Sequence, residues 1–305
     1  MNEHPFHIAT ITELHQLAGI AAPQHPLISL VRIEDLPTLP KGYPSRFTYG
    51  FYSIGLKKNL KGYVEYGRKQ YDFQKGVMAF TAPNQLISYA NSDASEANGW
   101  LIFFDPFLLR STVLKHKIQD FGFFDYETYE ALHISQGEED QIQEVFKNIN
   151  REYILPIDSF SKEVMLANLD LLLTYSKRFY TRQFITRNDT DDTLYQKFLK
   201  DLDNCFKDTN PTREKIPDVR YFSERLGVSS RYLSDSLKSI SGKSTKEHID
   251  FKIVQIAKQL LISSNLSIAE IAYEIGFEYP QYFSRFFKKS VGVTPTEFKS
   301  KRSRY

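Results

Sequence analysis

Two hydrophobic rhythms divide the chain. Between residues 27 and 104 the apolar positions come in short runs broken by Pro and Gly. The runs are Leu27–Ile33, Phe47–Ile54, Gly62–Glu65, Gln70–Phe73, Val77–Phe80, Leu86–Ala90 and Trp100–Phe104. Runs of this length, rich in β-branched and aromatic residues, predict an all-β sandwich or barrel. Residues 1–25 follow neither rhythm and read as a loosely docked lead-in. After Asp105-Pro106 the period changes. Ile142, Val145, Phe146, Ile149 and Tyr153 recur at spacings of three and four, as do Val164, Ala167, Leu171 and Tyr175. These spacings predict two amphipathic helices, over Glu138–Tyr153 and Ser159–Phe179. The polar run Asn188–Asp192 reads as a linker. Helical patterning then continues to the C-terminus, with breaks at Pro211, Pro217, Gly227, Gly242, Gly276 and Gly292.

The helical half contains an internal repeat. Asp218–Gly242 aligns with Ser267–Gly292. Val219 matches Ile268, Phe222 matches Ile271, Leu226 matches Ile275, and Gly227 matches Gly276. After one inserted residue Tyr232 matches Tyr282, Leu233 matches Phe283, Leu237 matches Phe287, Lys238 matches Lys288, and Gly242 matches Gly292. In each copy a capping residue opens a short helix and a Gly ends it, since a left-handed residue commonly closes such a turn. A second striped helix follows. That pattern predicts a helix-turn-helix, whose second helix enters the major groove of DNA. Between the copies, Thr245–Ser264 carries Ile249, Ile253, Ile256, Ala257, Leu260 and Leu261 and lacks Gly and Pro. It predicts a long spacer helix that would set the two units about 34 Å, or roughly 10 bp, apart.

Charge sharpens this division. The 305 residues carry a formal net charge of only +2. Residues 195–305 hold 20 Lys/Arg against 13 Asp/Glu, while residues 1–194 hold 19 against 24. A basic C-terminal part joined to an acidic part points to a nucleic-acid partner for the former. With 41% apolar and 14% aromatic residues the chain can bury a sizeable core, which excludes a disordered or collagen-like protein. One cysteine, Cys205, excludes an intramolecular disulfide framework and a Cys-based zinc cluster. No signal peptide and no apolar run of membrane-span length is visible, so the expected location is the cytoplasm, with no membrane partner.

The run Gly276-Phe277, then Tyr282-Phe283-Ser284-Arg285-Phe286-Phe287-Lys288-Lys289, then Gly292-Val293-Thr294-Pro295 resembles the motif of AraC/XylS-type transcriptional regulators. The resemblance covers about residues 195–301. It implies a seven-helix domain with two helix-turn-helix units joined by a long helix. It also implies a transcription regulator, with activation as the expectation, whose partners are double-stranded DNA and RNA polymerase.

Within the two recognition helices the expected base-reading residues are Ser230, Arg231, Ser234, Asp235, Gln281, Tyr282 and Arg285. Ser229, Tyr232, Pro280 and Ser284 are expected on the same exposed faces. Arg231 and Arg285 stand out because a guanidinium binds guanine O6 and N7 bidentately. Lys238, Lys243, Lys288 and Lys289 suit phosphates, which position a protein without specifying sequence. Asp235 departs from the pattern, since it occupies the place of Arg285. It would accept from cytosine N4 or avoid the bases altogether.

The acidic half resembles, more weakly, the cupin-like sensor barrel of many relatives. No His lies between His25 and His116, and Glu65 by itself cannot make a metal site, so no metal and no cofactor is expected. No Gly-x-Ser-x-Gly elbow and no phosphate-binding Gly-Lys-Ser/Thr loop occurs. Tyr49, Phe51, Tyr63, Tyr66, Tyr71, Phe73 and Phe80 would line an effector pocket, with Arg46, Arg68 or Lys69 anchoring an anion, or would simply fill the barrel. The helices at 138–179 have stripes suited to the barrel and to a second copy, which gives a homodimer as a candidate assembly.

The expected fold is α+β. An N-terminal cupin-like β-barrel with two following helices (1–187) leads through a linker (188–194) to a C-terminal all-α double helix-turn-helix domain (195–305). The expected function is non-enzymatic: a sequence-specific, effector-responsive DNA-binding regulator. The alternatives are a regulator controlled by protein docking and a metal-dependent cupin enzyme with a DNA-binding appendage.

Overall fold

The computed structural model describes residues 5–37, 46–58, 76–88, 98–127, 130–186, 194–207 and 216–300. The chain forms two compact units, Met1–Gln183 and Phe184–Tyr305.

The first unit mixes strands and helices. In chain order it contains β1 (Phe6–Ile8), α1 (Ile11–Ala18), β2 (Ile28–Arg32), β3 (Arg46–Tyr49), β4 (Tyr52–Lys58), β5 (Val77–Thr81), β6 (Leu86–Ser88) and β7 (Asn98–Phe104). Then come the short α2 (Leu114–Lys117), β8 (Leu132–His133), α3 (Gln136–Ile154) and α4 (Ser161–Thr186), whose last residues, from Phe184, belong to the second unit. The strands make two sheets. One is β1-β3-β6, and the other is β2-β7-β4-β5-β8. In the larger sheet Ile102 sits opposite Leu30 of β2 and Ile54 of β4.

No closed barrel is found among the described residues, so the cupin-like barrel expected from the sequence is not confirmed. The strand expected over Phe47–Ile54 breaks and changes sheet. The break falls at Gly50, whose N–H donates to the Ile8 carbonyl at 2.9 Å. A Cβ there would lie 2.5 Å from the Ala9 carbonyl oxygen, so only glycine allows this approach. The expectation of a loosely docked N-terminal lead-in is corrected, since its described residues are docked. β1 pairs in parallel with β3, and α1 buries Ile11 and Leu14 against Phe47, Tyr49, Phe51 and Phe103. Thr10 caps α1 by accepting from the Glu13 N–H. The strands expected at Gly62–Glu65 and Gln70–Phe73, and the linker at Asn188–Asp192, lie outside the described residues.

α3 forms where its stripe places it, but the stripe expected for α4 is corrected: Val164, Ala167 and Leu171 are exposed, and Met165, Leu169, Leu172 and Leu173 form its buried face. Ser135 and Glu138 close a capping box at the start of α3, which buries Ile142, Val145, Phe146 and Ile149. Asp158 accepts from the backbone N–H groups of Phe160 and Ser161 at the start of α4.

The second unit is helical among its described residues. It contains α5 (Leu194–Lys207), α6 (Val219–Leu226), α7 (Ser230–Ser241), α8 (Thr245–Ser263), α9 (Ile268–Ile275), α10 (Pro280–Val291) and α11 (Pro295–Ser300). One apolar core runs through all of it. Phe198, Leu202, Phe222, Leu233, Leu237, Ile249, Ile253, Ile271, Phe283 and Phe287 are its buried members. The stripes of both repeat copies therefore face a common interior across α8, and the polar faces of α7 and α10 are left outside.

Candidate nucleic-acid interface

The repeat becomes geometry in α6–α7 and α9–α10. α6 and α9 are each eight residues long, offset by 49, while α7 and α10 are each twelve, offset by 50. The inserted residue falls in the turn. Gly227 and Gly276 close the first helices at φ 67° and 104°, a backbone region that a Cβ disfavours. Capping differs between the copies. Ser229 caps α7 by accepting from the Tyr232 N–H, whereas Tyr279 precedes α10 and Pro280 takes its first position. Capping boxes at Ser244/Glu247 and Ser267/Glu270 fix the starts of α8 and α9. Backbone N–H donation from Ser244 and Ser267 holds both Glu carboxyls below the usual carboxylate range.

α10 presents its polar residues outward. Gln281, Arg285, Lys288 and Lys289 are exposed, and Tyr282 is 53% exposed. Ser284 is half-buried and donates to the Pro280 carbonyl at 3.0 Å. Phe283 and Phe287, on the opposite stripe, are fully buried.

α7 is built differently. Ser230, Arg231 and Lys238 are exposed, but Tyr232 is buried. This corrects the expectation of an exposed tyrosine. The Phe184 ring lies 5.0 Å from the Tyr232 ring at 78°, an edge-to-face contact that covers it. Ser234 is half-buried and donates to Thr245 of α8 at 3.2 Å. Ser230 shares a 2.9 Å hydroxyl hydrogen bond with Ser223 of α6. Arg231 and Asp235 form an ion pair one turn apart, with the guanidinium Nε donating to Oδ2 at 3.1 Å. Lys243, just beyond α7, places its Nζ 4.6 Å from the Phe251 ring centre.

The sequence reading missed Tyr279. It is exposed and stands edge-on to Tyr282 at 5.6 Å, so the N-terminus of α10 carries an aromatic pair. Its hydroxyl donates to Glu278, which pushes its pKa up. The signal was present in Tyr279-Pro280, since a Pro at the first helical turn places the preceding side chain at the helix tip.

In the first unit the described members of the expected effector pocket are packed. Tyr49 and Phe51 stack at 4.8 Å in the cluster beside α1. Phe80 is buried elsewhere, 4.4 Å from Phe123. Arg46 is exposed, and Tyr63, Tyr66, Tyr71 and Phe73, with Arg68 and Lys69, lie outside the described residues. A cavity of about 520 Å3 occurs instead between the α1–β2 segment and the α3–α4 turn. Ile28, Leu108 and Met165 are among its lining residues and are buried, while His25, Glu152 and Lys162 line it too. Among the described residues no group of three His, Cys, Asp or Glu is placed to hold a metal ion, and no helix is long and apolar enough to cross a membrane.

Comparison with known proteins places residues 222–301 in a helix-turn-helix domain family. The HTH-type transcriptional regulator YfiF of Bacillus subtilis is 25% identical over 261 residues, which is 83% of this chain and 77% of that protein. Histidine kinase P4 of Formosa agariphila is 29% identical over 143 residues, 47% of this chain. The chain spans only 10% of that kinase's length. Among solved structures, the C-terminal domain of the response regulator yesN from Fusobacterium nucleatum is 29% identical. It covers 33% of this chain and 96% of its own, with a TM-score of 0.30.

Proposed function

We propose that the C-terminal unit of this chain is an AraC-type helix-turn-helix domain of a DNA-binding transcription regulator, and that α7 and α10 enter successive major grooves on one face of double-stranded DNA. The observation that carries this reading is the exposed polar face of α10, set opposite the fully buried Phe283 and Phe287. Gln281, Tyr282 and Arg285 reach base edges there, while Lys288 and Lys289 meet phosphates. Selection from random duplexes with the purified full chain tests it. Two recognition elements about 10 bp apart should emerge. A single element, or none, contradicts the paired docking.

The lysines and the base readers should separate in solution. Lys289→Ala should weaken binding uniformly across sequences and make the salt dependence shallower by about one. A changed base preference in this variant would instead place Lys289 at a base edge.

Control resides in the first unit. A ligand that prefers one state of the protein shifts DNA affinity by that difference, typically about 1–3 kcal/mol. The cavity beside the α3–α4 turn is the better candidate for such a ligand, since the described aromatics are packed against one another. The run around that turn supports a second reading, control by a docking protein. Ile154, Leu155, Ile157 and Phe160 are 56–68% exposed there. The outer face of α4, with Val164 and Leu171 also exposed, suits a second copy of the chain. Met165→Trp, which fills the cavity, separates the readings. It should abolish a small-molecule response in a reporter assay and spare control by a partner. An unchanged small-molecule response would move the ligand site elsewhere.

A further inference from the structure

We propose that Tyr279 and Tyr282 form an aromatic step that reads a thymine methyl group in the major groove, beside the base pair that Arg285 reads. The proposal rests on the reading of α10 as a groove-entering helix. The two rings lie 5.6 Å apart at 90°, and the residues are 46% and 53% exposed. The backbone fixes the pair, since the Tyr282 N–H donates to the Tyr279 carbonyl at 3.0 Å. Tyr282 and Arg285 are three apart on α10 and share a helix face. The ring contact brings Tyr279 beside that face.

Capping shows what α10 gives up to hold this pair. Asp218, Ser229, Ser244 and Ser267 each accept a backbone N–H at the start of α6, α7, α8 and α9. At the same place before α10, Tyr279 makes no side-chain capping bond. A short hydroxyl side chain there would satisfy a free N–H group of the first turn, so stability does not favour tyrosine. What tyrosine adds is ring surface. Its hydroxyl is engaged with Glu278. The exposed Glu278 carboxylate also disfavours a phosphate beside the pair. Among the bases of DNA only thymine presents a methyl group in the major groove, where an apolar side chain can cover it. Residues in the N-terminal part of a recognition helix reach the base edges. Two tyrosines there offer a large surface with few rotatable bonds to immobilise. The matching places in α7 hold Ser229 and Tyr232, and Tyr232 is buried against Phe184. The thymine contact therefore belongs to the second half-site.

The test exchanges thymine for deoxyuridine, which removes the methyl group and leaves the pairing edge unchanged. The full chain first selects its site from random duplexes. Each thymine of the second half-site is then exchanged in turn. Binding is measured for the wild type, Tyr279→Ser, Tyr282→Ala and the double variant. In the wild type one exchange should weaken binding about fourfold, the worth of one buried methyl-sized group. In the double variant the same exchange should change little, because the rings that cover the methyl are gone. Tyr279→Ser should keep the fold, since serine is a favoured capping residue, and hydrogen exchange over residues 268–291 checks this. A second half-site without a preferred thymine overturns the proposal, as does a wild type indifferent to every exchange. An equal loss in the wild type and the double variant also overturns it, because another residue then covers the methyl. Arg285→Ala separates this failure from that of the underlying reading. If it relaxes preference at one base pair while no exchange matters, α10 reads DNA without the tyrosines. If neither has an effect, α10 is not a recognition helix and both readings fall.

Discussion

Phe287→Ala is expected to destabilise the C-terminal unit by about 3–5 kcal/mol. Phe287 is fully buried, with the rings of Phe283 and Phe298 at 5.8 and 5.5 Å. Removing its ring forfeits the burial of a large apolar surface and leaves a cavity between α10 and α11 that rigid helices fill poorly. A typical domain is stable by only about 5–15 kcal/mol, so this variant should lose DNA binding through loss of the fold. Native-state hydrogen exchange over residues 216–300 measures the effect in the full chain, where two units need not unfold together. Lys288→Ala, one residue along and exposed, is the control and should change protection little. A loss below about 1 kcal/mol for Phe287→Ala would mean that α10 is not seated by this ring.

Arg285→Ala is expected to weaken binding to the selected site by about 1–3 kcal/mol and to relax preference at one base pair of the second half-site. Arg285 is exposed on α10, and among the described residues no ion pair is recorded for it. Among those residues no ion pair then has to be given up before it meets a base. Arg285→Lys should keep much of the affinity and lose much of the selectivity, because an ammonium lacks the planar fork. Binding assays at several salt concentrations distinguish the two effects. If the alanine variant binds the selected site as the wild type does, Arg285 is not a base reader.

Much of the second unit was legible along the chain, and the reason is periodicity. Stripes at spacings of three and four, bounded by Gly227, Gly242, Gly276 and Gly292, locate helices without knowledge of their neighbours. All four glycines have positive φ. The first unit was less legible. The expected runs reached β2 to β7 but not β1 or β8, and the break at Gly50 depends on how closely the backbone of Ala9 approaches. β1 and α1 are short, and their docking on β3 and Phe103 is a long-range event with no local pattern.

The interface shows the same division. That Arg285 and Gln281 lie opposite Phe283 follows from the helical period. That Arg231 and Asp235 pair was readable too, since opposite charges four apart share a helix face. That Tyr232 is buried while Tyr282 is exposed could not be read from the repeat. The two tyrosines match in the alignment, and the difference comes from Phe184, far away in the sequence. Ser234 likewise turns toward Thr245 because α8 packs there.

The sequence by itself therefore determined the double helix-turn-helix, its basic balance and the polarity of its recognition helices. Each of these depends on local period and composition. Only the tertiary structure decided that the two helices are unequal, that the described strands form two separate sheets, and that the open cavity lies beside the α3–α4 turn. Those outcomes depend on which distant surfaces meet, and close packing between residues far apart in the chain leaves no period to read.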